Sequence, residues 1–207
     1  MTFDADDLKK HIPYYLTSSD QQTLVAELSA IASGKPVNYF LSKAYDFLNE
    51  TMLQGDGCRG FELFVFNSGE RRSVRGLVLS NSCDTNSENK RDVPMRVVFS
   101  PLVKLSSYKA MLLDSGIDSK KVDDKINSIK IQKTTNIFYL PAVGPTAEDY
   151  LVRFDDVHSM PVTARSANED KGKLFTLSNT GFYMLVFKLS VHFCRLQEKI
   201  TRKPATP

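Results

Sequence analysis

The chain has 207 residues, 27 basic against 24 acidic side chains, a formal charge of +3, 42% hydrophobic residues and no tryptophan. That composition excludes collagen-like, mucin-like and broadly disordered classes, and the length is enough for one core burying roughly 70% of the unfolded chain's surface. Three cysteines, Cys58, Cys83 and Cys194, none in a CxxC pair, argue against a disulfide framework or thiolate zinc site and for a reducing cytoplasm.

The acidic opening from Met1 to Asp7 lacks the basic start and apolar run of a secretion signal. Residues 1–57 are expected to form an acidic helical arm. A short helix over residues 6–16 is interrupted near Pro13. Ser19 and Gln22 have capping-box spacing ahead of Leu24, Leu28 and Ile31, which recur at helical intervals. Gly34 ends that run, and Pro36 opens a second stripe through Tyr39, Phe40, Ala44, Phe47 and Leu48. The arm holds four lysines and eight acids, a net −4, which leaves +7 for residues 58–207.

The middle of the chain reads as strands. Residues 61–66 are short, aromatic and bounded by Gly60 and Gly69, and a turn over Asn67 to Glu70 leads into a strand from Val74 to Ser80. Asn81 to Pro94 is a long polar loop of the kind that carries function. A strand follows from Met95 to Val103. An inserted helical segment over residues 106–133 turns Ile117, Val122, Ile126 and Ile129 roughly to one side. Strands return at 136–140 and 150–154, an extended piece lies between Val157 and Thr163, and residues 173–177 form a last strand or a helix lead-in.

Ser178 or Asn179 caps a long final helix over residues 178–200. Its apolar stretch, 181–193, is broken by Lys188 and His192, so it is not a membrane span. Lys188, His192, Arg195, Lys199 and Arg202 follow one another at intervals of 4, 3, 4 and 3 residues, which places all five on one helical face. This basic ridge reads either as a solvated face or as a surface that tracks phosphates.

The segment Val74-Arg75-Gly76-Leu77-Val78-Leu79-Ser80-Asn81, followed by a polar loop and by Val97-Val98-Phe99-Ser100-Pro101, resembles the MazF/PemK-type toxin barrel. The resemblance covers about residues 60–105. It implies an α+β fold with a small SH3-like β-barrel, dimerisation, and metal-independent cleavage of single-stranded RNA without a cofactor. The family's catalytic Arg falls on Arg75, whose guanidinium would steady charge developing on a phosphate. The family's proline after it is replaced by Gly76, and its threonine falls near Val103, so Ser100 is the substitute hydroxyl. A wider pattern also resembles uncharacterised bacterial proteins. It comprises Ser82-Cys83-Asp84, Phe138-Tyr139-Leu140-Pro141 and the run from Leu177 to Arg195.

Ser82, Cys83 and Asp84 complete the candidate binding surface. Cys83 as a nucleophile needs a base or positive field, and Asp84 beside it works against thiolate formation. Asp155, Asp156 and His158 lack the further ligands a metal site needs. Two functions follow. In the first, the body is a cytosolic RNA- or DNA-associated barrel, with the acidic arm folding over it as a toxin's partner would. In the second, it is a non-catalytic module that binds a protein partner through the arm.

Overall fold

A computed structural model of the chain describes residues 17–33, 35, 37–41, 51–85, 92–142 and 147–193. Two antiparallel sheets and six helices make up the described fold, an α+β arrangement. Strands β1 (Gly57–Val65) and β2 (Glu70–Val78) form a hairpin. Strand β3 (Arg96–Pro101) adds to β2, and β7 (His158–Pro161) adds to β3. On the other side β8 (Gly172–Phe175) adds to β1, giving the order β7-β3-β2-β1-β8. The second sheet has the order β4-β6-β5, from β4 (Val103–Lys104), β5 (Ile137–Leu140) and β6 (Tyr150–Arg153).

The two sheets share a corner. β3 ends at Pro101 and re-enters the second sheet as β4 one residue later, while β6 leaves the second sheet and returns to the first as β7. Pro101 suits such a point because it has no N–H for a continuing ladder. The corner is tied by the Leu102 N–H, which donates to the Arg75 carbonyl at 2.9 Å, and by the Ser100 hydroxyl, which donates to the Arg153 carbonyl at 2.9 Å. The sheets stay open and do not close into one barrel.

Strand alternation sorts the side chains into three cores. Leu77, Phe138, Leu140, Tyr150, Val152 and Phe154 lie in the largest core, together with Leu24, Ile31, Tyr39, Phe40, Met184 and Leu185. The other face of the second sheet, with Ile137, Tyr139 and Leu151, is covered by helices α3 (Leu105–Asp114) and α4 (Ser119–Lys130) through Tyr108, Leu112, Val122, Ile126 and Ile129. All four residues of β5 are therefore buried, as in a strand packed on both faces. The other face of the first sheet holds Cys58, Phe61, Val78, Val97, Phe99 and Met160.

Helix α1 (Ser18–Ala32) matches the helix expected from Leu24 and Ile31. The second predicted helix does not begin as expected. Phe40 bridges Leu177 in extended pairing, with Leu41 N–H donating to Thr176 and Ser178 N–H to Tyr39. Tyr39 and Phe40 are aromatic residues that suit a pleated, buried surface, and here they extend the sheet side of the core. Leu24, Ile31, Tyr39 and Phe40 are all in the main core, so the described part of residues 1–57 is built into the body and is not a separate arm. The expected helix over 6–16, and Ala44, Phe47 and Leu48, lie outside the described residues.

Two short helices were not expected, α2 (Ser82–Thr85) at the start of the polar loop and α5 (Val162–Ala167). The inserted segment 106–133 resolves into α3 and α4, the latter capped by Asp118, whose carboxylate accepts from the N–H of Lys120 and Lys121. The final helix, α6 (Asn179–Phe193), is present as expected over its described length. No helix of the described residues is long and apolar enough to cross a membrane.

The basic ridge on α6 is corrected at its first member. Lys188 is 2% exposed, and its ammonium donates to the Gln132 carbonyl (3.0 Å), Gln132 Oε1 (2.9 Å) and the Thr134 carbonyl (2.9 Å). Helical spacing places residues on one face but does not say which face is inward. A long flexible stem lets a lysine lie among Leu185 and Met184 if its three donors find carbonyls.

Candidate nucleic-acid interface

β2 runs past β3 and β8, so residues 62–65 and 70–75 form a two-stranded ribbon beyond the rest of the sheet. Arg71, Arg72 and Arg75 are exposed on it. Period-two alternation puts Arg71, Ser73, Arg75 and Leu77 on one face and Arg72 on the other. None of the three arginines makes an ion pair with a described residue. The only one held by a described side chain is Arg75, whose Nη1 donates to the Tyr150 hydroxyl at 3.1 Å. Tyr150 is buried in β6, opposite Lys104, and Lys104 pairs with Glu148 at 3.0 Å. The phenol fixes one corner of the Arg75 guanidinium and leaves its remaining donors for a second acceptor.

Ser100 does not serve this arginine. It is fully buried, opposite Leu77 in the ladder, and its hydroxyl is given to the Arg153 carbonyl. As a catalytic hydroxyl it is therefore corrected: an outward proton donor has to reach solvent, and this one holds the corner between the sheets. Arg75 is followed by a glycine, Gly76, for a visible reason. A Cβ there would lie 2.8 Å from both Phe61 and Phe99.

Ser82, Cys83 and Asp84 are not joined to Arg75 by any described contact. The Ser82 hydroxyl accepts from the Gln54 N–H at 2.9 Å, and Gln54 Nε2 donates to Leu79. The Thr85 hydroxyl donates to Met52. Helix α2 thus clamps residues 52–54 to the end of β2. Cys83 and Asp84 are exposed on it, and the Cys83 N–H is capped by Asn81 Oδ1 at 2.9 Å. Of the ridge residues, His192 is half-buried against the Phe154 ring, 5.8 Å between centroids, while Arg195, Lys199 and Arg202 lie outside the described residues.

The remaining polar groups divide into pairs. Arg153 holds Asp155 at 2.7 Å, and His158 Nε2 meets Asp156 at 2.8 Å. Among the described residues no group of three His, Cys, Asp or Glu could hold a metal ion. Cys58 is buried, and burial pushes its thiol up to about 12 against the nearby Arg165 and Lys173, so it is no nucleophile at neutral pH.

Reasoning from sequence missed Arg71, Arg72 and Tyr150. The signal for the first two was present: Glu70-Arg71-Arg72 leaves a turn directly into a strand in which Arg71 and Arg75 share parity. Tyr150 had no local signal, because it reaches Arg75 across 75 positions of sequence. No family model matches the chain, and no curated protein matches it.

Proposed function

We propose that this chain binds nucleic acid through the arginine strip of β2, on a scaffold of the MazF/PemK-like, SH3-related type that its sequence resembles. The observation that carries the reading is the run of Arg71, Arg72 and Arg75 on an exposed ribbon with no described carboxylate paired to it. Guanidinium forks recognise phosphate oxygens in bidentate fashion, and arginines with no ion pair to a described residue do so without breaking one of those pairs. The +7 carried by residues 58–207 supplies the wider field that steers a polyanion towards it. Binding without strand cleavage fits better than a ribonuclease, because Ser100 is enclosed and, among the described residues, only the Tyr150 side chain is hydrogen-bonded to the Arg75 guanidinium.

The test is a salt titration of binding to a fluorescein-labelled RNA oligonucleotide and its DNA counterpart, comparing the wild type with an Arg71→Glu/Arg72→Glu variant. The wild type is expected to bind at low salt with a clear slope of affinity on salt. The variant should lose at least about 1.4 from that slope, at roughly 0.7 per single-strand phosphate contact. An unchanged slope, or no wild-type binding at low salt, overturns the reading.

A further inference from the structure

The end of the β1–β2 ribbon carries chemistry on both faces and at its tip. As far as Phe61, β1 is flanked by the segment from Arg165 to Gly172. The Arg165 guanidinium lies 5.2 Å over the Phe61 ring, Lys171 lies against Gly60, and Gly172 pairs with Arg59. Residues 62–65, the turn and residues 70–73 stand beyond that segment. Phe66 is 87% exposed there and Phe64 49% exposed, and Arg71 and Arg72 are exposed as well.

The register decides where each group points. Phe64 is the ladder partner of Arg71 and Leu63 that of Arg72, so Phe64 and Arg71 share one face while Arg72 looks out from the other. Phe66 packs edge to face on Phe64, ring centroids 5.2 Å apart and planes at 89°. A single strand lying along a ribbon touches one face and stacks successive bases on open ring faces. Here the arginines divide between the two faces, and the two rings cross at right angles instead of offering parallel faces.

The dimensions suit a cleft with two walls. At about 3.4 Å per residue from Gly69, Arg71 and Arg72 stand about 7 and 10 Å behind the tip, and a ribbon with its side chains is about 10 Å thick. The major groove of B-form DNA is about 12 Å wide and about 8.5 Å deep, between two rows of phosphates.

We infer that the tip of this hairpin enters the major groove of double-stranded DNA, an inference that rests on the nucleic-acid reading above and adds the form of the ligand to it. Arg71 reaches the phosphates of one wall and Arg72 those of the other. Phe66, buttressed by Phe64, meets the groove floor, where thymine offers a methyl group. Glu70, the acid at the tip, accepts from the Ser68 hydroxyl and is placed to accept from a cytosine amine on that floor. Glu62 lies opposite Ser73, behind both arginines and outside the groove. The deep, narrow major groove of an RNA duplex is closed to such a ribbon.

Anisotropy titrations with a labelled DNA duplex, one of its strands alone, and the RNA duplex of the same sequence test the arrangement. The DNA duplex should bind at least about tenfold more tightly than either of the others. Arg71→Ala and Arg72→Ala, both at exposed positions, should each lower the salt slope on the duplex by about 0.9. Phe66→Ser should weaken duplex binding about fivefold with the slope unchanged. Equal affinity for the single strand or the RNA duplex overturns the inference and leaves the nucleic-acid reading standing. So does a slope that falls with Arg71→Ala but not with Arg72→Ala, which means contact through one face. Absence of binding to all three at low salt overturns both.

Discussion

Phe61 of β1 and Phe99 of β3 stack face to face, ring centroids 4.2 Å apart and planes 11° from parallel, although β2 runs between their strands. Alternate strands of a sheet lie about 9.6 Å apart, twice the 4.8 Å strand spacing. The rings meet by leaning over the one β2 position that has no side chain, Gly76. Gly76→Ala puts a Cβ 2.8 Å from both rings and is expected to destabilise the fold by about 1–3 kcal/mol, read as a lower urea midpoint at unchanged m-value. A loss below about 0.5 kcal/mol would show that the rings yield easily.

That relationship also shows what the sequence could and could not disclose. Strand positions from Phe61 to Phe175 were legible because β-branched and aromatic runs bounded by turn residues define them locally, and α4 was legible from its apolar spacing. Which strands neighbour which was not, because Phe61 and Phe99 meet through a glycine that belongs to neither run. Tyr39 and Phe40 were misread as helical because two adjacent aromatics fit a helical stripe as well as a strand. Lys188 was misread because a lysine at helical spacing looks solvated unless its acceptors, here on residues 132 and 134, are known. Arg75 was singled out by resemblance, but its hydrogen-bond partner Tyr150 comes from a distant strand.

Lys188 gives a pH prediction. Burial pulls its ammonium down to about 7 from 10.5; among the described residues no carboxylate faces it, and its acceptors there are the carbonyls of Gln132 and Thr134 and the Gln132 side chain. Between about pH 7 and 10.5 the unfolded chain then holds a proton that the native protein has released. Stability therefore rises with pH across that window, and below pH 7, where both states are protonated, it does not change on this account. Lys188→Met removes the dependence. The stability of wild type relative to Lys188→Met should grow from pH 7 to 9 by up to about 1.4 kcal/mol per pH unit. A constant difference would mean that three carbonyls, the complement of an ammonium, keep the proton on.

Asp56 and Lys173 make the opposite case, a buried pair. Asp56 is fully buried, its Oδ2 accepting from Lys173 Nζ at 2.7 Å and from the Leu53 N–H at 2.8 Å. Burial raises its pKa, and Lys173 opposes that rise. Lys173→Met leaves the carboxylate without its cation and is expected to cost about 3–5 kcal/mol at pH 7. The cost should shrink as pH falls towards 4.5, because a protonated Asp56 needs no counter-charge. Adding Asp56→Asn should recover part of the loss. Equal losses at both pH values would contradict a charge-based origin.

Ser100 and Arg75 separate structure from binding. They share one face of the first sheet, yet Ser100 is enclosed and Arg75 is exposed. Ser100→Ala leaves the Arg153 carbonyl without its hydroxyl donor and is expected to cost about 1 kcal/mol of stability, with nucleic-acid affinity unchanged. Arg75→Ala should do the reverse. Its single hydrogen bond to Tyr150 is only partly buried, so stability changes by less than about 1 kcal/mol, while the salt slope of RNA binding falls by roughly 0.7. Urea denaturation and anisotropy titration on the same two variants read both quantities. If Ser100→Ala weakens binding while Arg75→Ala does not, the ligand does not contact the arginine strip, and the corner between the sheets, where Ser100 meets Arg153, becomes the place to look for its site.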